Sequence, residues 1–340
     1  MNRETTIGVV TALPDSELPA ILRAFGLPVD KEPDFREPSG QRFWFTETAT
    51  INGERSRVVI TCIGRSGNPD STLRTNALIE RYAPEFMVLV GIACGYRKYS
   101  LGDVVTADAV WAYEYLKTTK TGPLDRSRAQ VTHRHIRDDV EFLSVQKAAK
   151  WHEVFNQCKS QIDSKLLPRK ATIPVLHRSI WIASGEKVLA NGELQRLNKR
   201  MDLVRAGEME GYGFALACEQ HRPPIPWLIV RGISDYGDET KDGKTGIKGQ
   251  DKTVHSPRSP RKDEYHQVAA QAAAAFVKVF LEYGYTRPSS DNLKEELITP
   301  EPLPQGSGPL APRVQRPTDK EGIKAVYTSD YDPQFTTEML

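Results

Sequence analysis

Several carboxylates in this chain stand just beyond apolar runs, where a strand would hand over to a helix. IGVV (7–10) leads into Asp15 and Glu17, and WLIVRGI (227–233) leads into Ser234 and Asp235. Glu210, in RAGEMEGYGFALAC (205–218), opens a helical pattern of small and apolar residues. VLVGIACGYRKYSLGDVV (88–105) adds Gly91 and Gly95, read as a glycine-rich turn, and then Gly102 with Asp103. In an open α/β sheet the crevice beyond the carboxyl ends of the strands is where ligands bind. A carboxylate held there can grip a hydroxyl or move a proton. Each residue also has a plainer reading. Asp235 can cap a helix, Glu210 can complement a helix dipole, Glu17 can be a solvated helix residue, and the glycines can mark a tight turn.

The elements that must position these residues follow from hydrophobic periodicity. Strands are expected at Thr5–Val10, Phe43–Thr48, Arg57–Ile63, Phe86–Val90, Val104–Val110, Ser179–Ser184 and Trp227–Ile233. MVLVGIA and WLIVRGI are apolar on both faces, as strands covered by helices on both sides must be. Helical patterns lie between them at Leu18–Phe25, Ser71–Tyr82, Asp138–Asn156, Glu193–Arg200, Met209–Gln220 and Asp263–Tyr283. This alternation predicts one layered α/β domain over residues 1–285 with a largely parallel or mixed sheet.

Composition narrows the function classes. The 340 residues carry 46 Lys and Arg against 44 Asp and Glu, a net charge of +2, so no global basic field for nucleic acid or an anionic membrane is expected. The longest greasy stretch, Val268–Phe280, is broken by Gln271 and Lys278 and is too short to span a bilayer. MNRETTIGVV lacks the apolar segment of a secretory signal. The four cysteines, Cys62, Cys94, Cys158 and Cys218, are far apart and form no metal-binding pair. Free thiols in a reducing cytoplasm are expected. Two segments break the α/β pattern. Glu239–Lys262 holds seven basic against three acidic residues, a local charge of +4, and reads as a mobile insertion. Residues 286–340 hold eight of the 23 prolines and read as a disordered tail, with Ile323–Tyr331 its one apolar and aromatic stretch.

Five ordered pieces, spread over residues 5–282, carry a resemblance: VVTALPDSELPAI, the run IGRSGNPDSTLRTNALIERYAPEFMVLVGIACG with LGDVV, IASGEKV, GEMEGYGFALA, and VRGISDYGD followed by YHQVAAQAAAAFV. Together they resemble the purine nucleoside phosphorylase and 5′-methylthioadenosine/S-adenosylhomocysteine nucleosidase superfamily. The resemblance implies a three-layer α/β/α fold around a curved mixed sheet, and homo-oligomers (dimer or hexamer) with active sites near subunit interfaces. It implies cleavage of a purine N-glycosidic bond without a cofactor or a metal. Asp235 would protonate or hydrogen-bond N7 of the leaving base, with Ser234 holding its geometry. Glu210 would bind the ribose 2′- and 3′-hydroxyls with Met209 packed under the sugar. Glu17 would activate water, although Pro14-Asp15-Ser16 looks one residue longer than usual and Asp15 is a rival. Gly91 and Ala93 of the central turn and Val188 of IASGEKV would line the substrate.

Water or phosphate as nucleophile is the main fork. Phosphorylases of the superfamily commonly place Ser or Thr after the first glycine of the central turn; here Ile92 stands there and has no side-chain donor. Arg65, in the GRSGN turn, is either an anion site or a surface arginine. The basic insertion either closes over a 5′-phosphate or triphosphate or is a solvated loop without function. The expected substrate is therefore an adenine nucleoside or a nucleotide such as ATP, with a conceivable role in anti-phage defence. A phosphorylase and a non-catalytic nucleotide-binding module, signalling through a tail partner, are the alternatives. His133 and His135, beside Arg128, Arg134 and Arg137, read as a solvated loop, with an interface or the phosphate end of the pocket as the alternative.

Overall fold

The computed structural model describes residues 5–50, 53–120, 122–168, 173–237 and 262–286. The basic insertion, apart from Lys262, and the tail beyond Thr286 lie outside the described residues.

In chain order the elements are β1 (Thr5–Thr11), α1 (Glu17–Ala24), β2 (Phe35–Arg36), β3 (Arg42–Ala49), β4 (Arg55–Cys62), α2 (Asn68–Tyr82), β5 (Phe86–Gly95) and β6 (Val104–Ala112). Then come β7 (Leu116–Thr119), β8 (Gly122–Asp125), β9 (Arg128–Val131), α3 (Arg134–Gln146), α4 (Ala148–Lys159) and β10 (Leu176–Ser184). The last are α5 (Glu193–Arg200), β11 (Val204–Glu208), α6 (Gly211–Gln220), β12 (Trp227–Asp235) and α7 (Lys262–Val279), which ends in a π turn at Phe280–Gly284.

The main sheet runs β11-β10-β6-β12-β5-β1-β4-β3-β2, with β9 beside β6. Pairings β1–β4, β1–β5, β5–β12, β6–β10 and β10–β11 are parallel, while β6–β12 and β3–β4 are antiparallel. Strand β11 also meets the end of β5, through Ala206 opposite Gly95 and Gly207 opposite Cys94, so the sheet curls back on itself. This is the curved mixed sheet that the resemblance implied. One layer, α1, α4 and α7, buries Ile21, Trp151, Phe276 and Phe280 against it. The other, α2 and α6, buries Leu78, Ile79, Phe214 and Ala217. Each fully buried aromatic contributes about 2–3 kcal/mol relative to exposure.

The alanine run of α7 has a steric cause. A Cβ on Gly232, in the middle of β12, would strike the backbone of Ala269. Helix and strand therefore meet backbone to backbone, which only small residues allow. A Cβ on Gly213 would strike the carbonyl of Asn68 in the same way, where α6 crosses α2.

Three expectations need correcting. Strand β5 does not turn at Gly91 but continues through Gly95, because both glycines leave room for side chains from neighbouring elements. The single helix expected over Asp138–Asn156 is two, broken at Lys147, and the break turns Trp151 inward so that its indole N–H reaches the Ala272 carbonyl at 3.0 Å. His133 and His135 do not sit in a solvated loop; half-buried, they open α3. The short strands β2, β7, β8, β9 and β11 carry too little periodicity to be read from sequence.

Candidate active site

Strand register brings the site together. Arg231 on β12 stands opposite Gly91 on β5, and Asp235 stands opposite Cys94. Three residues along β5 separate these levels, roughly 10 Å at strand rise.

At the first level lies a chamber of four charged side chains. Arg231 is fully buried, and its guanidinium meets Glu208, Glu210 at 3.1 Å and Glu17 at 3.8 Å. Glu17 opens α1 and points back over the sheet. Its Oε2 accepts the backbone N–H groups of Ala12 (2.7 Å) and Leu13 (3.0 Å), and its Oε1 accepts that of Ile92 (2.8 Å). Glu208, the last residue of β11, uses Oε2 to cap α6, accepting the N–H groups of Glu210 (2.9 Å) and Gly211 (2.7 Å). Glu210 accepts the Gly67 N–H at 3.3 Å from the loop before α2. A side chain on Gly91 would occupy the place of the Glu17 carboxylate and the Arg231 guanidinium. That glycine is the space in which the chamber is built.

Three buried carboxyls face one buried guanidinium, so the chamber cannot hold all its carboxyls ionised without a large desolvation cost. Burial pushes the Glu210 carboxyl up to about 7, against the pull of Arg231 and with the push of Glu208 and Glu17. Burial raises Glu17 as well, opposed by Arg231 and its three backbone donors. Burial alone would lower Arg231, but the three carboxylates outweigh it and hold the guanidinium charged. A buried carboxylate whose hold on a proton is strengthened in this way can take one from a bound water.

At the second level Asp235 ends β12 half-buried. Its Oδ1 accepts the Gly237 N–H at 2.9 Å, and the Ser234 hydroxyl lies 3.0 Å from its Oδ2 and 3.3 Å from the Ala93 carbonyl. Ser234 thus ties Asp235 to the edge of β5 that Ala93 supplies. Met209 is half-buried between Glu208 and Glu210.

Other expected site residues fall elsewhere. Asp15 is exposed, and its neighbour Glu17 is the group inside the chamber. Arg65 is exposed on the loop that leads to Gly67. Val188 is 61% exposed, whereas the next residue, Leu189, is buried. Among the described residues no cluster of His, Cys, Asp and Glu can hold a metal. A cleft of about 380 Å³ is lined by Thr72 of α2 and Leu216 of α6 and by Glu114, Tyr115 and Glu186 from the segments after β6 and β10.

Glu208 and Arg231 are the two chamber residues that the sequence reading missed. Arg231 interrupts an otherwise apolar strand, WLIVRGI, and an arginine in a strand covered on both faces demands buried carboxylates. That was the available signal.

The family model described as Phosphorylase superfamily matches residues 6–283. An ATP nucleosidase Cap17 from Escherichia coli is 28% identical over 284 residues, which is 82% of this chain and 51% of that protein. This chain thus spans about half the length of that curated relative. A 5′-methylthioadenosine/S-adenosylhomocysteine nucleosidase from Tolumonas auensis is 24% identical over 222 residues, covering 63% of this chain and 77% of its own. Among solved structures, the Helicobacter pylori 5′-methylthioadenosine/S-adenosylhomocysteine nucleosidase with butyl-thio-DADMe-Immucillin-A shares the fold with a TM-score of 0.58 at 19% identity. The match covers 82% of this chain and 98% of that one. The futalosine hydrolase of Helicobacter pylori shares it with a TM-score of 0.56 at 19% identity, over 82% and 97%.

Proposed function

The chain belongs to the phosphorylase superfamily, and from that premise we propose that it hydrolyses the N-glycosidic bond of an adenine nucleoside or nucleotide. Asp235 gives a proton to N7 as the bond from N9 to C1′ breaks. Glu210 accepts hydrogen bonds from the ribose hydroxyls and faces the positive charge growing on the sugar, so it grips the transition state more tightly than the ground state. Glu17 takes the proton of a water whose oxygen attacks C1′ from the opposite face. One proton is given and one is taken, and the products are free base and a reducing sugar.

The observation that carries this reading is the charge of the chamber. The one guanidinium is already matched by the carboxyls around it, so a phosphate dianion meets no surplus positive charge there, while a water molecule finds acceptors for its protons. That supports hydrolysis over phosphorolysis.

ATP as substrate is supported by the name of the Escherichia coli relative and by the basic sequence between Asp235 and α7. Depletion of ATP in infected cells is the biological role that fits such an activity. Chromatography of adenosine, 5′-methylthioadenosine, AMP and ATP after incubation tests the reading. Faster adenine release from ATP than from the nucleosides is expected, and its loss on replacing the insertion's lysines and arginines by serine. Equal losses on every substrate would remove the insertion from phosphate recognition.

Self-association is proposed for the face around the α2–α6 cleft, where Leu73, Tyr115, Leu116 and Leu124 are 67, 47, 45 and 50% exposed. Sedimentation of wild type and Leu73→Glu checks it, with a monomeric wild type as the contrary result. A partner for the tail through Ile323–Tyr331 is a proposal from sequence alone. Deleting residues 287–340 should leave base release intact if the tail serves recruitment.

A further inference from the structure

Asp235 does its proposed work at the end of β12, where Ser234 and the Gly237 N–H hold its carboxyl. The chain on both sides of Ser234-Asp235 is held by one short loop, Tyr96–Asp103, between β5 and β6. On the near side the Ile233 N–H donates to the Asp103 carbonyl, and the Gly102 N–H donates to the Ile233 carbonyl, both at 2.8 Å. On the far side the Tyr236 hydroxyl donates to the Tyr99 carbonyl at 2.9 Å. Gly102 takes a φ of +94°, which lets the loop turn back to make this pair of bonds.

The loop is in turn held from behind. The Asp103 side chain is buried and accepts three hydrogen bonds: from the backbone N–H of Ser100 (2.9 Å), from that of Val175 (3.0 Å) and from His177 Nε2 (2.8 Å). His177, at the start of β10, also stacks on Tyr99, with ring centroids 3.8 Å apart and planes 18° from parallel. Asp103 and His177 spend their hydrogen bonds on each other and on the loop and strand beside them, and so act on the loop rather than on the substrate.

We infer that Asp103, His177 and Tyr236 are positioning residues that hold the Asp235 carboxyl at the leaving base. The His177–Asp103 pair sets the Tyr96–Asp103 loop, and the loop clamps residues 233 and 236 around the proton donor. This rests on the nucleosidase reading above and deepens it. Placement matters here because misplacing a catalytic group by about 1 Å costs on the order of a hundredfold in rate.

The test uses the full chain with Tyr236→Phe, His177→Leu and His177→Gln. Tyr236→Phe deletes one hydroxyl, and His177→Leu deletes the donor and the stacked ring. His177→Gln restores an N–H toward Asp103. Tyr236→Phe and His177→Leu should each lower kcat for base release about ten- to a hundredfold with KM changed less than twofold. His177→Gln should recover most of the loss, and the double variant Tyr236→Phe/His177→Leu should lose less than the product of the single effects, because both act through one loop. Losses that appear in KM, or that multiply, would overturn the inference. Amide hydrogen exchange is read on the same variants, where Ile233 and Gly237 should exchange faster by more than the change in global stability accounts for. If wild type released no base from any purine substrate, the nucleosidase reading would fall. Unchanged exchange at 233–237 would sink the clamp whatever the activity.

Discussion

Replacing Glu210 by glutamine removes one proton-binding site from a chamber that already holds more carboxyls than cations. The folded protein binds this proton more tightly than the unfolded chain does, because burial lifts the carboxyl from 4.5 to about 7. Its stabilising effect is therefore fully present below about pH 4.5 and is lost as pH rises through about 7. At 1.36 kcal/mol per pH unit, that interval makes the wild type about 3 kcal/mol less stable at pH 8 than at pH 4.5 through this group. Glutamine is the closest mimic of the protonated side chain. Like the acid it has one carbonyl oxygen, so it keeps either the Gly67 N–H or Arg231 as donor and not both. Glu210→Gln should match the wild type near pH 5 and exceed it at pH 8 by up to about 3 kcal/mol, roughly 6–12 °C in melting temperature. Urea and thermal unfolding from pH 5 to 8.5 read this directly. Base release should fall about a hundredfold or more, the trade of stability against function expected of a strained site. Parallel stability profiles for the two proteins, or a variant weaker than wild type at pH 8, would refute the charge reasoning.

Other substitutions probe the same geometry. Gly91→Ala sets a methyl group where Glu17 and Arg231 meet, so base release should fall about a hundredfold in a variant that still folds, as circular dichroism would show. Asp235→Asn removes the proposed proton donor and should lower kcat by about 10²–10⁴ with little change in melting temperature. Arg231→Met leaves three buried carboxyls without their cation; unfolding should show a loss of about 3–5 kcal/mol, larger at pH 8 than at pH 5.

The sheet was legible in the sequence because its central strands are covered on both faces. MVLVG and WLIVRGI read as buried strands without knowledge of their partners; β6 and β12 form where expected, and β5 starts there but runs on to Gly95. Edge elements were not legible. Strands β7, β8 and β9 have four residues each; among the described residues β7 and β8 pair only with each other, and β9 pairs with the end of β6. The site was half legible. Asp235, Glu210 and Glu17 could be singled out by their places after strands, but the choice between Glu17 and Asp15 needed the fold, because two residues apart in sequence one is buried and the other exposed. Arg231 and Glu208 were hidden inside apolar patterns. A charge within such a pattern is a sign of buried pairing, and only the curl that joins β11 to β5 shows with what.

The central claim is that Glu17, with Arg231 and Glu210, directs water rather than phosphate at C1′ while Asp235 protonates the base. Product analysis with ATP and adenosine, in phosphate-free buffer and in buffer with inorganic phosphate, tests it most directly, with Glu17→Gln alongside. The account predicts free adenine and a reducing sugar at equal rates in both buffers, and loss of both products in Glu17→Gln. Base release that requires phosphate and yields a sugar 1-phosphate, or full activity in Glu17→Gln, would contradict it.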